Sequence, residues 1–146
     1  MDANSHCEFD ASKLVSNLDV TFPGDLGEVP DIIEKIMGVV RGMECSAGKE
    51  FEIELSLREA IINAVVHGCR SDPSKMVQCC VACDPSRGML IVVRDPGKGF
   101  EPESLPDPLI GENLFASHGR GIYLINQLMD EVTFKRGGTE IHMIKR

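Results

Sequence analysis

The segment Leu57–Gly68, LREAIINAVVHG, decides how the rest of the chain is read. Within it Glu59, Asn63 and His67 recur every four residues in a largely apolar run. At roughly 100° per residue they fall along one narrow ridge of a helix. Glu52, Ser56 and Arg70 project onto the same ridge. Ile53, Leu57, Ala60, Ile61 and Ala64 wall one side of it, and Leu55, Ile62 and Val66 wall the other. An ordinary surface helix has one apolar stripe and a broad polar face. A thin polar stripe between two apolar walls instead predicts a helix that lines a cleft, although a solvated helix face gives the same spacing.

Working outward, Gly68 stands where a helix-ending residue is expected, and Ser71-Asp72-Pro73-Ser74 reads as a turn. Upstream, Leu14–Phe22 reads as a strand, punctuated by Pro23-Gly24-Asp25. A helix over 27–43 follows, with Val29, Ile32, Ile33, Ile36, Val39 and Val40 at helical spacing. Downstream come strands Met76–Cys83 and Met89–Arg94, joined by a hairpin loop at 84–88. Residues 101–118 hold three prolines without periodicity, the kind of long loop that often serves as a lid. A short helix Ile122–Met129 and a hairpin of Val132–Lys135 with Glu140–Ile144 around Gly137-Gly138 complete the order. Grouped strands predict a mixed, mostly antiparallel sheet with helices on one face, an α/β (α+β) two-layer sandwich.

Composition narrows the function. A chain of 146 residues, 42% hydrophobic and 26% charged, reads as one globular domain with a core of its own. A net charge of -8 argues against direct nucleic-acid binding and against attraction to an acidic membrane. No apolar run approaches the ~20 residues of a membrane span, and MDANSHCEFD lacks the features of a secretory signal. The expected location is the cytoplasm, with the six cysteines mostly reduced. Cys79, Cys80 and Cys83 suggest a metal or redox site, but residues three apart on a strand face opposite ways. Buried strand cysteines are the expectation.

Asp95-Pro96-Gly97-Lys98-Gly99 puts a carboxylate at a strand end beside glycines that admit close backbone approach. Such an aspartate can accept a hydrogen bond from an exocyclic amine such as that of adenine; a capped tight turn is the competing reading. His118-Gly119-Arg120-Gly121, opening a helix, offers free amides and the positive dipole end to a phosphate. Glycines before helices are also common without any ligand. A glutamate such as Glu59 can act as a general base. An asparagine oxygen such as that of Asn63 suits Mg²⁺. His67 reads as a supporting residue near the helix end.

Together, E-x-x-x-N-A-x-x-H-G from Glu59, D-P-G-x-G-F from Asp95, H-G-R-G-I from His118 and the downstream G-G-T resemble the GHKL superfamily of ATP-binding proteins. Within it, the run PDPLIGENLFASHGRGIYLINQLMDEVTF is most similar to the small anti-sigma-factor serine/threonine kinases. The resemblance spans about residues 14–144 and implies the Bergerat ATP-binding fold. It makes 13–146 a histidine-kinase-like ATPase domain behind a flexible arm at 1–12. It also implies ATP and Mg²⁺ as cofactors, with Glu59 as catalytic base and Asn63 as Mg²⁺ ligand. Asp95 would bind the adenine amine, Gly97 and Gly99 would shape its pocket, and Thr139 would lie beneath it. His118, Gly119, Arg120 and Gly121 would meet the phosphates under a lid at 101–118.

The activity so implied is phosphorylation of a serine or threonine on a STAS-type anti-sigma-factor antagonist. The second partner would be a sigma factor or another regulatory protein, held in alternation by a homodimer. The other reading is a nucleotide-gated binding module without useful catalysis. A histidine-kinase core fits poorly. The ~50 residues before the key helix cannot hold a dimerisation hairpin as well as the first strand and helix at ~1.5 Å per helical residue. None of His6, His67, His118 or His142 lies in such a hairpin.

Overall fold

The computed structural model describes residues 16–97 and 117–146. The arm at 1–12, Gly99 and the expected lid, apart from its last two residues, lie outside them. The elements are β1 (Ser16–Pro23), α1 (Val29–Val40), α2 (Glu50–Asn63), β2 (Met76–Asp84), β3 (Gly88–Arg94), α3 (Ser117–Leu128), β4 (Glu131–Lys135) and β5 (Glu140–Lys145). The strands form one sheet in the order β1-β2-β3-β5-β4. Every pairing among them is antiparallel. β3 and β4, linked through α3, run the same way, but β5 lies between them, so no parallel ladder forms.

Strand alternation sets the two sheet faces. Val77, Cys79, Val81 and Cys83 of β2, Met89, Ile91 and Val93 of β3, and Ile141 and Met143 of β5 share the main core with the helices. Their partners in register, such as Val81 opposite Ile91 and Ile91 opposite Met143, keep one face continuous across three strands. Cys80, Ala82, Leu90 and Val92 form a second apolar cluster on the other face. The three strand cysteines are buried as expected, with Cys80 on the opposite face from Cys79 and Cys83.

α1 begins with proline in its first turn, where a missing N–H costs nothing. It buries Val29, Ile33, Ile36, Met37 and Val40 at helical spacing. α2 buries Ile53, Leu57, Ala60 and Ile61 against the sheet, each large side chain worth about 1.5–3 kcal/mol in area removed from water.

The end of α2 differs from the expectation. Gly68 does not end the helix in a left-handed conformation. Instead Ala64–Gly68 widens into a π-turn, with Cys69 N–H donating to the Ala64 carbonyl at 2.8 Å. The chain then reverses through Arg70 and Ser71, whose φ angles are 53° and 57°. α3 also differs, starting at Ser117 rather than Ile122, so the His118–Gly121 segment forms its opening turns.

The cysteines depart from the expected, mostly reduced set, since three of the five described are disulfide-bonded. Cys45, in the 3-10 turn Glu44–Ser46 ahead of α2, is bonded to Cys83 near the end of β2, a separation of 38 residues. Cys80 is also disulfide-bonded, while Cys69 and Cys79 are free and buried.

Candidate active site

A cleft of about 240 Å³ opens between the end of α2, the start of α3 and the β3–β5–β4 side of the sheet. Its walls are largely apolar, with Ala60, Ala64, Val93, Ile122, Phe134 and Ile141 among them. Polar groups are few: Asn63, His67, Asp95 and Thr139. An apolar slot with a small number of placed polar groups is the usual make-up of a small-molecule site.

Asp95 lines the cleft. It follows β3 directly, and its N–H donates to the Thr139 carbonyl at 3.0 Å, which ties it to the residue preceding β5. Its Oδ1 accepts from Gly97 N–H at 2.8 Å, so the carboxylate is fixed by its own turn. Burial pushes the Asp95 carboxyl above its ordinary value, and the Gly97 hydrogen bond only partly opposes this. Two close approaches explain the glycines around it. A Cβ on Gly68 would overlap the Asp95 carboxyl, and one on Gly97 would sit 2.6 Å from the Gly68 carbonyl oxygen. Gly68 is therefore required for closeness, not for helix termination, a role the sequence reading missed. A small residue at the end of a polar helical ridge was the only available signal.

Asn63 lines the cleft on the α2 side, and Glu59 stands next to it, one turn away on the helix and outside the cleft lining. Gly121 of α3 lies directly against both: a Cβ there would be 2.8 Å from Glu59 Oε1 and 3.5 Å from Asn63 Nδ2. Residues 27–62 positions apart in sequence thus come together here: Gly121 with Glu59 and Asn63, and Asp95 with Gly68. Arg120 is exposed. His118 and Gly119 belong to the first turns of α3, and their side chains lie outside the described set. The amides at such a helix start have no partner within the helix and suit an anion.

Thr139 lines the cleft, its hydroxyl donating to the Arg136 carbonyl at 2.9 Å. His67 is on the cleft rim, exposed, with burial holding it below its ordinary value. Phe134, Ile141, Ile122 and Gly138 line the cleft without having been singled out in sequence. Phe134 and Ile141 are direct cross-strand partners, but an apolar residue in a strand carries no sign of whether it faces core or cleft.

Beneath the cleft, on the opposite sheet face, Glu140 is buried and forms ion pairs with Arg94 Nε at 2.6 Å and Arg136 Nε at 3.0 Å, both at Oε2. His142 Nε2 lies 2.7 Å from its other oxygen. This network joins β3 to β5 one residue from Asp95 and Thr139, and sequence gave no hint of it.

The geometry agrees with comparisons to known proteins. The family profile of the histidine kinase-like ATPase domain matches residues 22–145. The chain is 32% identical over 99 residues to the anti-sigma F factor of Anoxybacillus flavithermus, covering 64% of this chain and 67% of that protein. It is 34% identical over 100 residues to the serine-protein kinase RsbW of Staphylococcus epidermidis, covering 63% and 62%. The aligned region thus spans about two thirds of the length of these curated relatives.

Proposed function

The chain belongs to the histidine kinase-like ATPase domain family, and from that premise we propose that it is an ATP-dependent protein-serine/threonine kinase that doubles as an anti-sigma-type regulator. The observation that carries this reading is the contact of Gly121 with Glu59 and Asn63 beside a cleft that Asn63 and Asp95 line. The residues fit the ligand: an acceptor carboxylate fixed by its own turn, apolar walls for a purine, and glycines where a side chain would block approach.

Asp95 accepts from the adenine amine, with Gly97 and Gly99 giving the base room and Thr139 beneath it. The first turn of α3 presents the amides of His118 and Gly119 to the phosphates, Arg120 adds a cation, and Gly121 leaves room beside Glu59 and Asn63. Asn63 offers its oxygen to Mg²⁺. Magnesium ATP, when bound, supplies the phosphoryl group and neutralises its charge. Glu59 takes the proton from a serine or threonine hydroxyl of the acceptor, and positioning provides most of the rate.

The names of the relatives, an anti-sigma F factor and a serine-protein kinase, support a partner-switching role. The acceptor is a STAS-type antagonist, and the alternative ligand is a sigma factor or a comparable regulator. The working unit is a homodimer in the cytoplasm; light scattering giving a single-chain mass at micromolar concentration would remove the dimer.

The test mixes the protein with γ-labelled ATP, Mg²⁺ and a STAS-type antagonist. Label on a serine or threonine of the antagonist, lost in Glu59→Gln while nucleotide binding persists, is the expected result. Binding with no transfer by the wild type would replace the kinase with a nucleotide-gated module. Normal transfer by Glu59→Gln would remove Glu59 as the base.

A further inference from the structure

We propose that the Cys45–Cys83 disulfide is a thiol-exchange site, opened by a small-molecule thiol at Cys45, whose two states set how firmly α2 is held. The argument begins with access. Cys83 is fully buried, whereas Cys45 is partly exposed and lines a separate cleft of about 210 Å³ with Glu44, Lys49, Ser86 and Arg87. An incoming thiolate therefore reaches the Cys45 sulfur and not the Cys83 sulfur. Lys49 and Arg87 beside it favour a thiol that carries carboxylates, such as a glutathione-type peptide.

The second part is leverage. α2 has no side-chain cap at its N-terminus. Its approach is instead a relay: Ser46 Oγ donates to the Met43 carbonyl at 2.9 Å, Lys49 N–H to the Ser46 carbonyl at 2.8 Å, and Ile53 N–H to the Lys49 carbonyl at 3.1 Å. The disulfide fixes this relay at Cys45. Its other end is rigid, because Asp84, next to Cys83, accepts from Ser86 N–H and Ser86 Oγ at 2.9 Å each and from Arg87 Nε at 2.6 Å. One covalent bond thus joins an uncapped helix start to a braced hairpin. The same helix carries Glu59 and Asn63 to the cleft.

The exchange is balanced with two equivalents of thiol. The first thiolate attacks Cys45 Sγ, forming a mixed disulfide as the bond to Cys83 breaks, and the released Cys83 sulfur takes up a proton. A buried, apolar surrounding disfavours the thiolate, so the released sulfur is retained as a thiol. The second thiolate attacks the added sulfur, releasing the small-molecule disulfide and leaving Cys45 as a thiol. A small-molecule disulfide runs the same steps in reverse and closes the bond again. Two electrons pass from two small thiols to the protein in one direction, and back in the other.

The consequence for nucleotide rests on the ATP reading above. Reduction frees the start of α2, which weakens the placement of Asn63 and lowers nucleotide affinity severalfold. The experiment treats the folded, full-length protein with reduced glutathione at millimolar concentration. Alkylation with peptide-level mass spectrometry then reads Cys45 and Cys83, while hydrogen exchange reads Glu50–Glu54 and titration reads ATP affinity. Expected are labelled Cys45 and Cys83, faster exchange over that turn, weaker ATP binding, and recovery of all three with oxidised glutathione. Cys45→Ala, checked for fold by circular dichroism, should resemble the reduced protein, with exchange over Glu50–Glu54 that glutathione no longer changes. A disulfide that resists glutathione in the folded state overturns the proposal, as does reduction that leaves hydrogen exchange at Glu50–Glu54 unchanged. Reduction that speeds exchange but spares ATP affinity overturns the link to the cleft. Failure of both states to bind ATP overturns the nucleotide reading alone, since hydrogen exchange still decides the switch.

Discussion

Two residues decide what the cleft can do, and they fail in different ways. Replacing Glu59 by Gln keeps size and removes the basic oxygen, so phosphotransfer should fall by about 10²–10⁴-fold, the usual worth of a general base. Nucleotide affinity should hold within error, which equilibrium titration against single-turnover transfer will separate. Gly68→Ala should act in the opposite sense. Its new Cβ meets the Asp95 carboxyl, so the aspartate must leave its turn and binding should drop sharply. The fold should survive in the same variant, because Gly68 is at the rim of the core, and a preserved thermal transition with lost ATP binding is the outcome to look for. Glu59, Asn63 and Asp95 were legible in sequence because each is a polar residue standing out in an apolar or glycine-rich setting. The steric need for Gly68 was not, since it depends on which strand end is brought to the helix.

Among the elements, β5 has the most demanding interior. Burial alone would raise the Glu140 carboxyl, but hydrogen bonds from Arg94 and then His142 outweigh it and hold it below its ordinary value. A carboxyl so depressed contributes stability above its unfolded range, and that contribution is lost as pH falls through the folded value. Burial keeps His142 below its ordinary 6.5, with the Glu140 hydrogen bond opposing and Lys135 and Arg94 assisting. Below 6.5 the unfolded chain therefore binds a proton that the folded chain resists, and stability falls in the same direction. Urea midpoints should decline from about neutral downward in two stages, the first removed by His142→Gln. Glu140→Gln should cost about 3 kcal/mol at neutral pH, because it strands the largely buried Arg94 guanidinium. The strands and α1 were readable from alternation and helical spacing to within a few residues. The π-turn was not, because an apolar run such as Ala64-Val65-Val66 satisfies α and π geometry alike.

For the molecule as a whole, the Cys45–Cys83 bond closes a loop of 38 residues that contains α2 and most of β2. Chain-entropy estimates put such a loop at roughly 3–4 kcal/mol, so reduction should lower the denaturant midpoint by a matching amount, with Cys45→Ala giving the same shift. This tether had no sequence signature: the partners share no motif spacing and meet only because the turn before α2 packs on the β2–β3 hairpin. Strand order carries a different consequence. β5 is the last described strand in chain order, yet it lies between β3 and β4. During synthesis, β4 emerges with no neighbour to pair with, and the β3 edge stays open until Glu140–Lys145 is made. Thr139 and Ile141 reach the cleft at that same late moment. A nascent chain arrested after β4 should therefore bind no nucleotide and expose two unpaired strand edges, making completion of β5 the step that converts an aggregation-prone intermediate into a competent one.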